Sequence, residues 1–169
     1  MERVVRGAYK MASSSDSDIE TFVAFWKLTR PSAYGFERAL SFDGIAVGGH
    51  TASFIHGFGV LQPEPCRIYA PNRMRSRLPG VSFAQRKIEE RDVMLREGMY
   101  VTRPERTILD LVLDREDLSL VADTLHDARV QFETSGGFSM ERLRELFDGI
   151  REGGMEGRDL LDMLVATGR

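Results

Sequence analysis

Apolar residues in this chain follow two rhythms. From Ile19 they recur at Phe22, Val23 and Trp26, the three- and four-residue steps of one helical face. Ser17 and Glu20 stand ahead of that face in the S-x-x-E spacing of a capping box, and Pro31 ends it. The same rhythm predicts helices over 35–42, 51–57, 118–128, 140–147 and 159–165. Ser139 is placed to cap the helix from Met140, with Phe138 and Leu143 at the positions of a hydrophobic staple. Gly136-Gly137 and Gly153-Gly154 interrupt the helices, and Gly168 suits a stop.

The other rhythm alternates. Val81, Phe83 and Gln85 against Ser82, Ala84 and Arg86 predict a strand over 81–87. CRIYA (66–70) and GMYV (98–101) read as two more, with a short extended entry at 45–47. Sequential antiparallel pairing is the simplest arrangement. Residues 1–12, MERVVRGAYKMA, read as a β-ribbon turning at Gly7, and 13–18 as a polar linker. The class this predicts is α+β: a small antiparallel sheet flanked by helices over 19–114, and a C-terminal helical segment over 115–169. A remnant, wing-like ribbon lies at the N-terminus. No internal repeat is visible.

One stretch, YVTRPERTILDLV (100–112), carries a dense set of helix-start signals. Thr102 and Glu105 hold capping-box spacing, and Pro104 falls in the first turn, where its missing N–H costs nothing. Arg106 and Asp110 are four apart and can pair. Ile108, Leu109, Leu111 and Val112 form an apolar face. These signals are complete without a functional role. Arg103 and Arg106 can still present guanidinium groups to a phosphate or a partner carboxylate.

Composition sharpens the picture. With 169 residues, 42% of them hydrophobic, the chain can bury a real core as one domain or one domain and an appendage. A net charge of -3 does not point to bulk nucleic-acid binding. The single cysteine, Cys66, precludes an internal disulfide and suits a reducing compartment. No run approaches the roughly 18 apolar residues of a membrane span, and no signal-peptide pattern opens the chain. The expectation is a cytoplasmic protein with no membrane partner.

Charge is unevenly spread. Between Pro65 and Ile88 stand Arg67, Arg73, Arg75, Arg77, Arg86 and Lys87, with no Asp or Glu. From Arg103 to Arg169 there are fifteen acids against nine Lys and Arg. A basic block within an acidic chain can meet a phosphate backbone or an acidic partner. The simpler reading of PNRMRSRLPG is a solvated turn.

Catalytic signatures are sparse. His50 and His56 lie six apart, roughly 240° around a helix, so they do not share a face, and no C-x-x-C or H-x-x-x-H spacing brings in Cys66. GIAVGGHT lacks the lysine and frame of a phosphate loop. No G-x-S-x-G elbow is present. A metal-dependent nuclease needs an acidic ligand, and a strand with a second acid and a lysine two residues on. Glu64, Gln85 and Lys87 match the spacing, yet glutamine is a poor ligand for a hard cation. No cofactor and no metal site is expected.

RVVRGAYKM, GGHTASFIHGFGV, CRIYAPNRMRSRLPGVSFAQRK and GMYVTRPERTILDLV, in that order, resemble the AbiEi family of antitoxins of type IV toxin–antitoxin systems. The last is the most specific: a glycine-led strand running into T-x-P-x-R-T-ϕ-ϕ-D, here Thr102, Pro104, Arg106, Thr107 and Asp110. Ala52, His56 and Gly57 match a second segment, S-A-x-x-x-H-G. The likeness covers roughly residues 1–112 and, more loosely, the helical tail.

The resemblance implies an antitoxin-like regulatory protein that counteracts a nucleotidyltransferase-like toxin without catalysis, not necessarily through a stable complex. Its alternative implication is a promoter-binding regulator of its own operon; a nuclease-like enzyme is the remotest reading. Family members place a winged helix-turn-helix before this domain. Here only the end of the wing is expected, so Arg3 and Arg6 are left to touch phosphate without a recognition helix. The contact surface for nucleic acid or a partner is expected at Arg67, Arg73, Arg75, Arg77, Arg86, Lys87, Arg103 and Arg106.

Overall fold

A computed structural model describes residues 18–132 and 134–168 in full, and 2–5 and 8–10 by their backbone. Among these residues the chain is α+β, with seven α-helices, a five-stranded mixed sheet and two short ribbons. It divides into two compact units, each built from two chain segments: Met1–Val47 with Glu64–Val101, and Gly48–Pro63 with Thr102–Arg169. No helix among the described residues is long and apolar enough to cross a membrane.

The first unit opens with the expected ribbon, β1 (Glu2–Val5) antiparallel to β2 (Ala8–Lys10), with Arg3 opposite Tyr9. Arg6, the linker over 13–17 and its Ser17 cap lie outside the described residues. Helix α1 (Asp18–Leu28) buries Phe22 and Trp26 completely, as its stripe predicts. Helix α2 (Gly35–Leu40) ends sooner than expected, because Ser41 is already extended.

A buried arginine ties α2 to α1. Arg38 donates from Nη1 to the Trp26 carbonyl at 2.6 Å and from Nε to Asp43 Oδ2 at 3.0 Å, and its guanidinium lies 3.7 Å from the Trp26 ring centroid. Burial draws its pKa below the ordinary arginine value, and Asp43 offsets part of that. Trp26 in turn donates from Nε1 to the Ile45 carbonyl at 2.9 Å, which pins the entry to the sheet.

The sheet departs from the expected antiparallel order. Its strands β3 (Ala46–Val47), β4 (Cys66–Ala70), β5 (Val81–Gln85), β6 (Val93–Arg96) and β7 (Met99–Thr102) lie in the order β5-β4-β3-β7-β6. Strand β3 pairs antiparallel with β4 but parallel with β7, and β4 and β5 run parallel. Residues 71–80 therefore form a crossover and not a hairpin turn. The reason is in the connector: it is close to the length a crossover requires, and Met74 and Leu78 join Phe25 and Leu28 of α1 and Phe83 around a cavity of about 90 Å³. Half-burying those two side chains against α1 carries the loop across the sheet.

Strand β6 was not foreseen. Only two residues join it to β7, so the pair is a hairpin. Glu97 (φ 49°) and Gly98 (φ 79°) both take positive φ, as a type I′ turn demands.

The second unit is helical: α3 (Gly49–His56), α4 (Pro104–Leu113), α5 (Leu118–Phe132), α6 (Met140–Phe147) and α7 (Gly157–Thr167). The Gly153-Gly154 break is a turn between β8 (Arg151–Glu152) and β9 (Met155–Glu156). Ile108, Leu111, Leu125, Leu143, Phe147, Leu160 and Leu164 form one buried apolar cluster. Ser139 caps α6 as predicted, its Oγ accepting from the Arg142 N–H at 3.1 Å. Phe138 packs against the same cluster as Leu143.

Asparagine tolerates the left-handed region that Glu97 occupies far better than glutamate does. Glu97→Asn is expected to raise stability by about 0.5 kcal/mol, read as a higher urea midpoint with an unchanged slope.

Candidate functional site

The stretch with the densest signals folds as a buried polar junction. Pro104 occupies the first helical position of α4, as expected. The predicted capping box does not form. The N-cap residue is Arg103, one position later than that box requires, and its carbonyl accepts from the Thr107 N–H at 2.8 Å. Thr102 Oγ1 instead meets Thr107 Oγ1 at 2.8 Å. Glu105 turns to the start of α6, where its Oε1 accepts from the Ser139 N–H at 2.5 Å.

Helix α4 is buried on every side, not on one face. All residues from Pro104 to Val112 are withdrawn from solvent. Arg106 and Asp110 pair inside as their spacing predicts, Nε to Oδ1 at 2.9 Å. His56, 46 residues before Thr102, places its Nε2 2.7 Å from the Thr102 carbonyl. A carbonyl only accepts, so the ring proton sits on Nε2. The imidazole stacks on Phe58 with centroids 5.4 Å apart, and Gln131 donates to the His56 carbonyl at 2.8 Å. Gly57 ends α3 at φ 79°, a left-handed cap. Thus Ala52, His56 and Gly57 and the set from Thr102 to Asp110 belong to one unit and are joined there by a hydrogen bond.

The cationic candidates separate. Arg73, Arg75 and Arg77 are exposed on the crossover loop, and Lys87 is exposed beyond β5. Arg67 and Arg86 are half-buried and converge on the buried Tyr69 ring, 5.7 and 4.4 Å from its centroid. Arg103 is exposed but belongs to the second unit. Arg106 is 9% exposed, so the expectation that it offers a contact is corrected: Asp110 takes its guanidinium inside the fold. Of the ribbon pair, Arg3 lies on β1, and Arg6 is outside the described residues.

The histidines and cysteine take separate environments. His50 Nδ1 lies 3.3 Å from Glu116 Oε1, His56 belongs to the junction, and Cys66 is buried. Desolvation, with Glu64 adding to it, pushes the Cys66 thiol far above the ordinary cysteine range. No group of three His, Cys, Asp or Glu that could hold a metal is present among the described residues. Nor are Glu64, Gln85 and Lys87 brought together. Gln85 pairs with Ala70 in the parallel β4–β5 ladder, whereas Glu64 precedes the other end of β4. That separation is about 20 Å at the rise of a strand. Gln85 donates to the Pro71 carbonyl at 3.2 Å.

One feature of the surface escaped the sequence reading. Tyr34 and Phe36, 70% and 69% exposed, stack with centroids 5.8 Å apart and planes 17° from parallel, and Leu40 is 83% exposed. The only hint was the pair of aromatics flanking Gly35 in a polar stretch. Comparison of the chain with family models, with curated proteins and with solved structures finds no match in any of the three.

Removing one partner of a buried ion pair strands the other. Asp110→Ala is expected to cost about 3 kcal/mol, and Thr107→Val about 1 kcal/mol through the unsatisfied Thr102 hydroxyl, both read by urea denaturation. Cys66 should resist thiol reagents at neutral pH in the folded chain and react at once when it is unfolded. Fast modification of the native protein would contradict this burial.

Proposed function

We propose that this chain is an AbiEi-type antitoxin domain, a cytoplasmic regulatory protein that counteracts a nucleotidyltransferase-like toxin without catalysis of its own. The observation that carries this is the hydrogen bond from His56 Nε2 to the Thr102 carbonyl. It joins the two segments on which the resemblance is most specific, far apart in sequence, into one buried junction. Residues that form a motif for a structural reason belong together in this manner, and His56, Thr102, Pro104, Arg106, Thr107 and Asp110 are all withdrawn from solvent. Contact with a partner then falls to exposed cations, foremost Arg73, Arg75 and Arg77 on the crossover. A second reading, promoter binding, draws support from the β1–β2 ribbon, which has the form of a wing and carries Arg3.

The test is growth rescue: this chain is co-expressed with the open reading frame beside it. The neighbour alone is expected to arrest growth, and the chain to restore it. Reversing charge at Arg73, Arg75 and Arg77 together should abolish rescue with an unchanged thermal midpoint, since all three are exposed. Lys87→Ala should leave rescue intact, whereas a nuclease would lose its activity. A toxic neighbour that this chain does not relieve sinks the proposal.

A further inference from the structure

We infer that the first unit binds single-stranded nucleic acid, with the Tyr34–Phe36 pair stacking on bases and Arg73, Arg75 and Arg77 holding the phosphates. Two exposed, nearly parallel rings at the start of a short helix form a platform of the kind that receives unpaired bases. The platform is fixed in place. Glu37 Oε2 accepts from the Tyr34 N–H at 3.1 Å, and Arg38 anchors α2 to the Trp26 carbonyl at 2.6 Å.

The platform and the arginine loop are mounted at the same end of α1. Gly35 lies against the Lys27 side chain. Met74, Ser76 and Leu78 of the loop line the cavity shared with Leu28 and Thr29, and the Pro71 ring lies against Gly44, just past α2. The arginine loop itself is suited to a polyanion, with Glu37 the exposed acid beside the rings. No acid occurs from Pro65 to Ile88, and Asp43 is held by Arg30 at 3.3 Å and Arg38 at 3.0 Å.

Arginines alone would serve an acidic protein equally well. The aromatic pair decides for bases, and for unpaired ones, because a duplex hides its base faces in the stack.

The experiment is fluorescence anisotropy of the full chain with a labelled oligouridine of about 12 nucleotides, titrated from about 50 to about 200 mM salt. Three phosphate contacts predict a log–log salt slope of about -2. Tyr34→Ala with Phe36→Ala should weaken binding at least about tenfold at an unchanged thermal midpoint, both rings being exposed. Charge reversal at the three arginines should abolish binding. Three outcomes overturn the proposal: no binding at the lowest salt, equal or tighter binding of a matched duplex, or affinity unaffected by removing the two rings. Displacement of the oligonucleotide by polyglutamate at equal charge would assign the surface to an acidic protein instead. Oligonucleotide binding and growth rescue can each succeed or fail alone, so this proposal goes beyond the antitoxin reading and does not rest on it.

Discussion

Arg106 and Asp110 sit four residues apart on a helix withdrawn from solvent from Pro104 to Val112, and the second unit is arranged around that fact. A lone charge in such a place costs several kcal/mol, so each is tolerable only beside the other. The pairing, with the Thr102–Thr107 hydroxyl contact, allows α4 one rotational setting. Glu105, fixed by that setting, reaches the Ser139 N–H, and Ser139 in turn caps α6. His56 on α3 closes the set on the Thr102 carbonyl. Apolar burial supplies most of the drive to fold. The polar contacts decide which of several similar helix packings is adopted, since apolar surfaces alone discriminate weakly between registers.

The first unit solves a different problem. Its sheet has a two-residue central strand, β3, which must serve as partner to β4 on one side and β7 on the other. So short a strand offers few ladder bonds, and its position depends on what surrounds it. Trp26 holds the residue before it by its carbonyl, and Arg38 holds Trp26. The same arginine that stabilises the entry to the sheet also sets α2 on the surface with its rings outward. Structural anchoring and surface presentation are thus consequences of one buried side chain.

The densest spacing signals and the exposed cations occupy separate places. Thr102 and the run from Pro104 to Asp110 lie inside, and their polar side chains meet partners within the chain. The exposed arginines and aromatic rings are on the 71–80 crossover and at the start of α2. Buried polar contacts tie the helices to one packing, whereas exposed loops tolerate change.

By itself the sequence determined most of the elements. The cap at Ser139, the first-turn Pro104, the glycine break at Gly153-Gly154, and the spacing of Arg106 and Asp110 act over one or two helical turns. Short range is what a linear pattern records. Tertiary structure alone decided the rest. Whether β4 and β5 run parallel depends on where Met74 and Leu78 find apolar cover. Whether Glu105 closes its own capping box or reaches Ser139 depends on a group 34 residues away. Strand β6 gains its place from pairing with β7, not from any strong pattern of its own. Burial of Arg106, and exposure of Tyr34 and Phe36, are likewise set by neighbours distant in the chain. Free energies of pairing and desolvation are summed over contacts in space, and a residue's immediate neighbours in sequence fix only part of that sum.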